Sequence, residues 1–398
     1  MYLYSKNTRY IWMFVERVIH LPEMSFFLFG ARQTGKTTLI QSRFTESVWT
    51  INLLLSETFF RYQQQPHLFV REAEYRVKRD RIRHVFVDEI QRLPVLLNDI
   101  HYLMEKYPHV QFLLTGSSAR KLRRGGFNLL AGRAVQRYLF PFTFQEIREW
   151  YTLDEILRFG TLPPLLSCSE QQKMEILKAY VNTYLKEEIV AEAYARNIGG
   201  FYRFLELAAN QFTEIINYNA IARDAGVSVK TVQSYYSILE DTLIGFYLWP
   251  WRKSVRKRLR LHPKFYFFDN GITNATNRLL GTELPRVWKG KLFEQFIVQE
   301  IFRFKHYLNS DSQLFFWRTA HGAEVDVLIV KGMQIHHAIE IKFSSRIDTV
   351  HLRGLRAFQE EYPDVPCTVI ATVSEPYMLN GVQVLPYEWF LNSIADYL

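Results

Sequence analysis

Four short apolar runs punctuate the first third of the chain: SFFLFG (25–30), VWTINLL (48–54), HVFVDE (84–89) and VQFLLTG (110–116). Continuous apolar runs of this length predict strands buried on both faces of a parallel sheet. Stretches with helical spacing separate them, among them KTTLIQSRF and LPVLLNDIHYLMEKY, and the alternation predicts an α/β domain. From about 150 to 212 the pattern turns helical in TLDEILRFG, EQQKMEILKAYVNTYLKEEIV and GGFYRFLELAANQF, with a breaker, GTLPPLL at 160–166, reading as a hinge. A compact helical stretch at 213–245 and a basic run at 252–260 follow, and from 264 onward strands and helices alternate again. The expected division is an α/β domain over 1–155, a helical subdomain over 156–212, a winged-helix-like region over 213–262 and a further α/β domain over 263–398.

Composition narrows the class. A chain of 398 residues with 48% hydrophobic and 16% aromatic residues has material for two or three cores. The net charge of +9 favours a polyanionic partner such as a nucleotide or nucleic acid. Cys168 and Cys367 are too few for a disulfide framework or a zinc site, so a reducing compartment fits. The N-terminus lacks an apolar signal region, and no run of 18 or more uncharged apolar residues exists. No membrane contact is expected, and the cytoplasm is the expected location.

The first chemistry-bearing motif is GARQTGKT at 30–37, which follows one predicted strand and opens a predicted helix. Gly30, Ala31, Arg32, Gln33, Thr34 and Gly35 would form the nucleotide-binding loop, with the amides of Gly35, Lys36, Thr37 and Thr38 surrounding the phosphates. Lys36 would neutralise β- and γ-phosphate charge, and Thr37 would place a hydroxyl on Mg²⁺. HVFVDEIQ supplies the complementary half: Asp88 at a strand tip would reach the Mg²⁺ shell, and Glu89 would polarise an attacking water. Thr115, Ser117 and Ser118 end the fourth apolar run and stand where hydroxyls would contact that water or the γ-phosphate. Arg133, after a glycine in LLAGRAVQRYLF, stands as a candidate to act on a neighbour's γ-phosphate, which would require a homo-oligomer.

The segment EIINYNAIARDAGVSVKTVQSYYSILED (214–241) reads as a helix-turn-helix. Asn219 is the expected cap of the first helix, Gly226 the turn and Ser228 the cap of the second. Lys230, Thr231, Gln233 and Ser234 then face outward, where DNA phosphates or base edges would lie. The basic run that follows, with Arg252, Lys253, Arg256, Lys257, Arg258 and Arg260, would form a wing gripping the DNA backbone. A protein-binding or structural role is the competing reading.

A second acidic stretch, HGAEVDVLIVKGMQIHHAIEIKF (321–343), places Asp326 on one strand and Glu340-x-Lys342 on the next. Period-2 alternation puts Glu340 and Lys342 on one face, and a hairpin would bring Asp326 beside Glu340. Two carboxylates can share a divalent metal and the lysine can orient water at a scissile phosphate. Glu294, in the upstream helix GKLFEQFIVQEI, would complete the metal site.

The segments FFLFGARQTGKTTL, HVFVDEIQRLP, FLLTGSSARKL and LAGRAVQRYLFPFTFQEI resemble the AAA+ ATPases of bacteria and archaea that carry a C-terminal domain once left as unknown function. The resemblance continues through KFYFFDNGI, GKLFEQFIVQEI and GAEVDVLIV, almost the whole chain. It implies nucleotide-site roles for Lys36, Thr37, Asp88 and Glu89, and a sensor or finger role for Arg133. The Asp326, Glu340, Lys342 set is similar to the PD-(D/E)XK nuclease core, which implies a restriction-endonuclease-like mixed sheet. The expected architecture is therefore a P-loop AAA+ parallel-sheet domain, a central helical and winged-helix region, and a nuclease-like α/β domain. The expectation is an Mg²⁺-ATP hydrolase acting on DNA, with a second Mg²⁺ or Mn²⁺ in the C-terminal part. The alternative is a nucleotide-dependent switch or adaptor whose nuclease-like domain is inactive and holds DNA or a protein partner.

Overall fold

The computed structural model describes residues 2–5, 10–13, 15–117, 122, 130, 132–185, 197–254 and 261–398. Contacts divide the chain into two compact units: 11–141 with 1–3 and 241–243, and 142–240 and 244–398 with 4–10.

Burial on both faces decides the centre of the first sheet. Its five strands are β1 (Phe26–Phe29), β2 (Val48–Asn52), β3 (His84–Asp88), β4 (Gln111–Gly116) and β5 (Val135–Tyr138). They are all parallel and lie in the order β2-β3-β4-β1-β5. Every residue of β1 is buried, and Phe27 and Phe29 stack with ring centroids 5.4 Å apart. Burying such a side chain contributes roughly 1.5–3 kcal/mol. The edge strands carry polar residues instead, as Thr50 in β2 and Gln136 and Arg137 in β5 show. Helices α1 (Lys36–Arg43), α2 (Ser56–Gln64), α3 (His67–Arg79) and α4 (Leu96–Lys106) make the connections. The chain leaves β1 for the far edge, returns through β3 to β4, then skips over β1 to β5. This reversal makes the C-terminal end of β1 the switch point at which α/β sheets bind ligands.

The second unit begins with short helices α5 (Phe144–Ile147), α6 (Leu153–Phe159) and α7 (Glu170–Ala179), the last two opened by capping boxes at Thr152 and Ser169. Helices α8 (Ile198–Asn210), α9 (Tyr218–Ala225) and α10 (Val229–Asp241) pack through aromatic residues. Phe201 meets Tyr235 at 5.0 Å and Phe204 meets Tyr236 at 4.9 Å, both edge-on. The expected cap of α9 moves by two residues: Asn217, not Asn219, accepts the Ala220 N–H, because the helix starts at Tyr218. Gly226 takes the left-handed turn at φ 67°, and Ser228 accepts the Thr231 N–H, as expected.

A mixed eight-stranded sheet completes this unit. Its strands are β6 (Gly245–Pro250), β7 (Lys264–Phe267), β8 (Gln313–Arg318), β9 (Glu324–Lys331), β10 (Gln334–Lys342), β11 (Cys367–Ala371), β12 (Tyr377–Leu379) and β13 (Val382–Pro386). The order is β12-β13-β11-β10-β9-β8-β6-β7. The hairpin expected as a wing, β6 with β7, is thus one edge of this sheet, held by parallel pairing of β6 with β8. Between α11 (Asn270–Thr276) and β8 runs the long α12 (Arg286–Tyr307). Its buried Arg303 donates to the carbonyls of Phe142 and Phe268, and Glu300 accepts the Phe144 N–H at 2.9 Å.

Candidate functional site

The glycine loop after β1 has the shape its residues dictate. Gln33 has φ 64° and Gly35 has φ 90°. A Cβ on Gly30 would lie 2.4 Å from the Leu139 carbonyl oxygen, so this position admits no side chain. Thr34 Oγ1 closes the loop on the Ala31 carbonyl at 2.9 Å. The first bond inside α1 runs from the Leu39 N–H to the Gly35 carbonyl, which leaves the earlier amides outside the helical ladder. Lys36 is buried, and its Nζ donates to the carbonyls of Gly30 at 2.8 Å and Ala31 at 3.1 Å.

Asp88 ends β3 directly across from this loop. Thr37 Oγ1 donates to it at 3.0 Å, and Thr115 at the tip of β4 donates from the other side. Burial raises the Asp88 carboxyl above its ordinary value, and the two neutral hydroxyls only partly offset this. A buried carboxylate whose near hydrogen-bond partners are neutral fits a cation, so Thr37 and Asp88 are the residues that would hold Mg²⁺ beside a nucleotide phosphate. Glu89 follows at φ 61°, and its N–H donates to Thr115 Oγ1 at 3.1 Å. Thr37, Asp88, Thr115 and Glu89 therefore form one continuous hydrogen-bonded chain from the loop to the far side of β4.

One residue that holds the loop has no motif to announce it. Arg17 is buried; its guanidinium donates to the Thr34 carbonyl at 2.9 Å and the Phe140 carbonyl at 2.6 Å. It fastens the glycine loop to the segment after β5.

Arg133 stands elsewhere. It precedes β5, at the N-terminal edge of the sheet and thus opposite the loop, and pairs with Glu105 at 2.6 Å. Ser117 is buried at the end of β4, whereas Ser118 lies outside the described residues.

In the second unit, the β9–β10 hairpin brings Asp326 opposite Glu340, as the pairing of Val327 with Ile339 requires. Lys342 contacts Glu340 Oε1 at 2.5 Å and lies 4.0 Å from Asp326 Oδ2. Asp326 Oδ2 also accepts the Ile341 N–H at 2.7 Å. Burial, reinforced by Asp326, pushes the Glu340 carboxyl up to about 8. Glu294 lies near this pair: burial and then Asp326 raise its carboxyl, against the pull of Lys264. It accepts from Tyr266 at 2.7 Å and pairs at 3.2 Å with Lys264, whose ammonium also meets Glu324 at 2.6 Å. Burial alone would depress the Lys264 pKa, but Glu294, Tyr266, Glu324 and Asp326 hold it well above its ordinary value.

The expected second metal site is not shown by this arrangement. Among the described residues, no group of three or more His, Cys, Asp or Glu side chains is placed to hold a metal ion. Ammonium groups stand among the carboxylates: Lys264 pairs with Glu294 and Glu324, and Lys342 with Glu340.

On the helix-turn-helix, Lys230, Gln233 and Ser234 are exposed and Thr231 is half-buried. Arg252 donates to the carbonyls of Trp251 and Arg318. Arg256, Lys257, Arg258 and Arg260 lie outside the described residues.

A parallel sheet whose glycine loop opens a helix opposite a buried strand-end aspartate defines a phosphate-loop nucleotide-binding domain. Residues 23–148 match the family described as an AAA domain, which supports an AAA-type, nucleotide-binding reading of this part of the chain. Residues 151–283 match a domain of unknown function (DUF8612), and residues 289–390 match another (DUF4143). Among curated proteins, an uncharacterized protein of Haemophilus influenzae is 19% identical over 286 residues, spanning 65% of this chain and 71% of its own length. Uncharacterized protein MJ1544 of Methanocaldococcus jannaschii is 22% identical over 341 residues, spanning 78% of this chain and 73% of its own. No helix among the described residues is long and apolar enough to cross a membrane.

Proposed function

We propose that the chain hydrolyses Mg²⁺-ATP and uses the nucleotide state to control binding of DNA by its second unit. The observation that carries this is the chain Thr37–Asp88–Thr115–Glu89 linking the glycine loop to two strand tips. Mg²⁺ bound there would offset phosphate charge. The protein's own groups do the rest: loop amides and Lys36 hold the phosphates, and Glu89 orients the attacking water. Lys36→Ala is expected to abolish nucleotide binding, whereas Glu89→Gln keeps binding and stops hydrolysis. Hydrolysis that persists in both variants would sink the reading.

DNA is the partner that the outward residues of α10 and the basic run 252–260 support. The carboxylate cluster of the second unit serves to hold its sheet together, the adaptor-like alternative, since its charges are met by lysines. The cross-strand placement of Asp326 and Glu340, with Glu340 Oε2 lacking a hydrogen-bond partner, favours a second reading, cleavage of nucleic acid. DNA cleavage that needs Mn²⁺ or Mg²⁺ and disappears in Asp326→Ala would establish that reading instead. Arg133, placed away from its own loop, would serve only a neighbouring copy. Mixing Arg133→Ala with Lys36→Ala chains tests this, because complementation by subunit sharing requires an oligomer.

A further inference from the structure

Gln91 belongs to the first acidic stretch, yet the reading above gives it no task. Its carboxamide is buried at the C-terminal end of the sheet, where Nε2 donates to the Glu89 carboxylate and, at 3.2 Å, to Ser117 Oγ. A carboxylate can only accept, so the amide nitrogen must be the atom that faces it. The opposite atom, Oε1, has no hydrogen-bond partner among the described residues. It occupies space that a side chain at Gly116 would take: a Cβ there would lie 2.7 Å away. The tip of β4 therefore reaches Glu89 twice. Thr115 Oγ1 accepts its main-chain N–H, and Ser117 meets its carboxylate through Gln91. Between these anchors Glu89 sits in the left-handed region at φ 61°, a conformation that a non-glycine residue keeps only where its surroundings enforce it.

We propose that Gln91 is a positioning residue for hydrolysis, holding one carboxylate oxygen of Glu89 so that the other meets the attacking water, and tying that alignment to Ser117 at the tip of β4. The inference rests on the assignment of Glu89 above. It deepens that assignment: the residue that orients water is itself oriented by a neighbour two positions later.

The test is ATP turnover and binding of a fluorescent ATP analogue by the full chain carrying Gln91→Met, Gln91→Ala or Gln91→Glu. Met keeps nearly the same volume without the donor, and Glu keeps the shape but sets a carboxylate against Glu89. Displacing an aligning group by about 1 Å can cost about 100-fold in rate, so kcat is expected to fall by about 10- to 100-fold in all three variants. Nucleotide affinity is expected to stay within about twofold, the pattern of an interaction needed only in the transition state. Ser117→Ala, which leaves Gln91 in place, is expected to lower kcat less. A wild-type kcat in Gln91→Met would show that only packing matters, and would overturn the inference. So would a raised kcat, or a loss of nucleotide affinity as large as the loss of rate. A wild-type chain that turns over no ATP would overturn the underlying assignment, a result read before any Gln91 variant is compared.

Discussion

Removing the Lys264 ammonium isolates the electrostatics of the second unit. The side chain is 3% exposed and lies within 3.2 Å of Glu294 and 2.6 Å of Glu324. Lys264→Met keeps most of the volume and removes the charge. Glu324 retains Arg318 at 3.3 Å near the surface, so Glu294 is the carboxylate left stranded against Tyr266. Removing one partner of a buried ion pair typically costs about 3–5 kcal/mol. At about 2–4 °C per kcal/mol for a body of this size, the melting temperature should drop by about 6–20 °C. The double variant Lys264→Met/Glu294→Gln should recover most of that loss, because the stranded charge goes with it. Differential scanning calorimetry of the four members of the cycle measures both effects. A single variant that melts within about 2 °C of wild type would show that the pair contributes little. Millimolar Mn²⁺ that stabilises the wild type, but not Asp326→Ala, would show that a cation and not Lys264 neutralises the cluster.

Three further outcomes follow from particular contacts. Arg17→Met should weaken ATP binding and cost roughly 1.5–3 kcal/mol, the typical value of a hydrogen bond to a charged group, since the loop loses its tie to the Phe140 carbonyl; unchanged affinity by titration calorimetry would refute it. His306 is pushed down to about 3, first by burial and then by Lys305, so its folded value lies below the ordinary 6.5. Its contribution to stability is therefore complete above pH 6.5 and is lost as pH falls toward 3; urea unfolding at pH 7 and pH 5 should show a smaller pH effect in His306→Leu than in wild type. Lys230→Ala should weaken DNA binding alike for all sequences and reduce the salt slope by about one, and an unchanged slope would remove α10 from the interface.

The parallel sheet was legible because its central strands β1, β3 and β4 are apolar on both faces and the edge strand β2 is apolar apart from Thr50 and Asn52, so each of the four apolar runs contains a strand. β5 escaped because an edge strand tolerates Gln136 and Arg137, which break the apolar run and read as loop. The glycine loop and Asp88 were legible because phosphate binding needs those residue types at fixed spacing. Arg17 was not, since a lone arginine in a charged segment carries no pattern; its meaning lies in carbonyls more than a hundred positions away. Lys264 did leave a signal. It opens KFYF, a strand otherwise wholly apolar, and a lysine buried there demands carboxylate partners. Glu294 and Glu324 come from separate elements, so only the fold reveals them as the partners of Lys264.

The pairing of β6 with β8 places Lys264, on β7, in the same sheet as the acidic cluster. Residues 252–260 connect β6 to Lys264 by sequence, and that same lysine plugs the cluster. Nucleic acid pulling on the basic connection would tug at the strand that carries the plug. Under the proposed DNA binding, a load on that connection would be felt first at Lys264, the residue that opens β7.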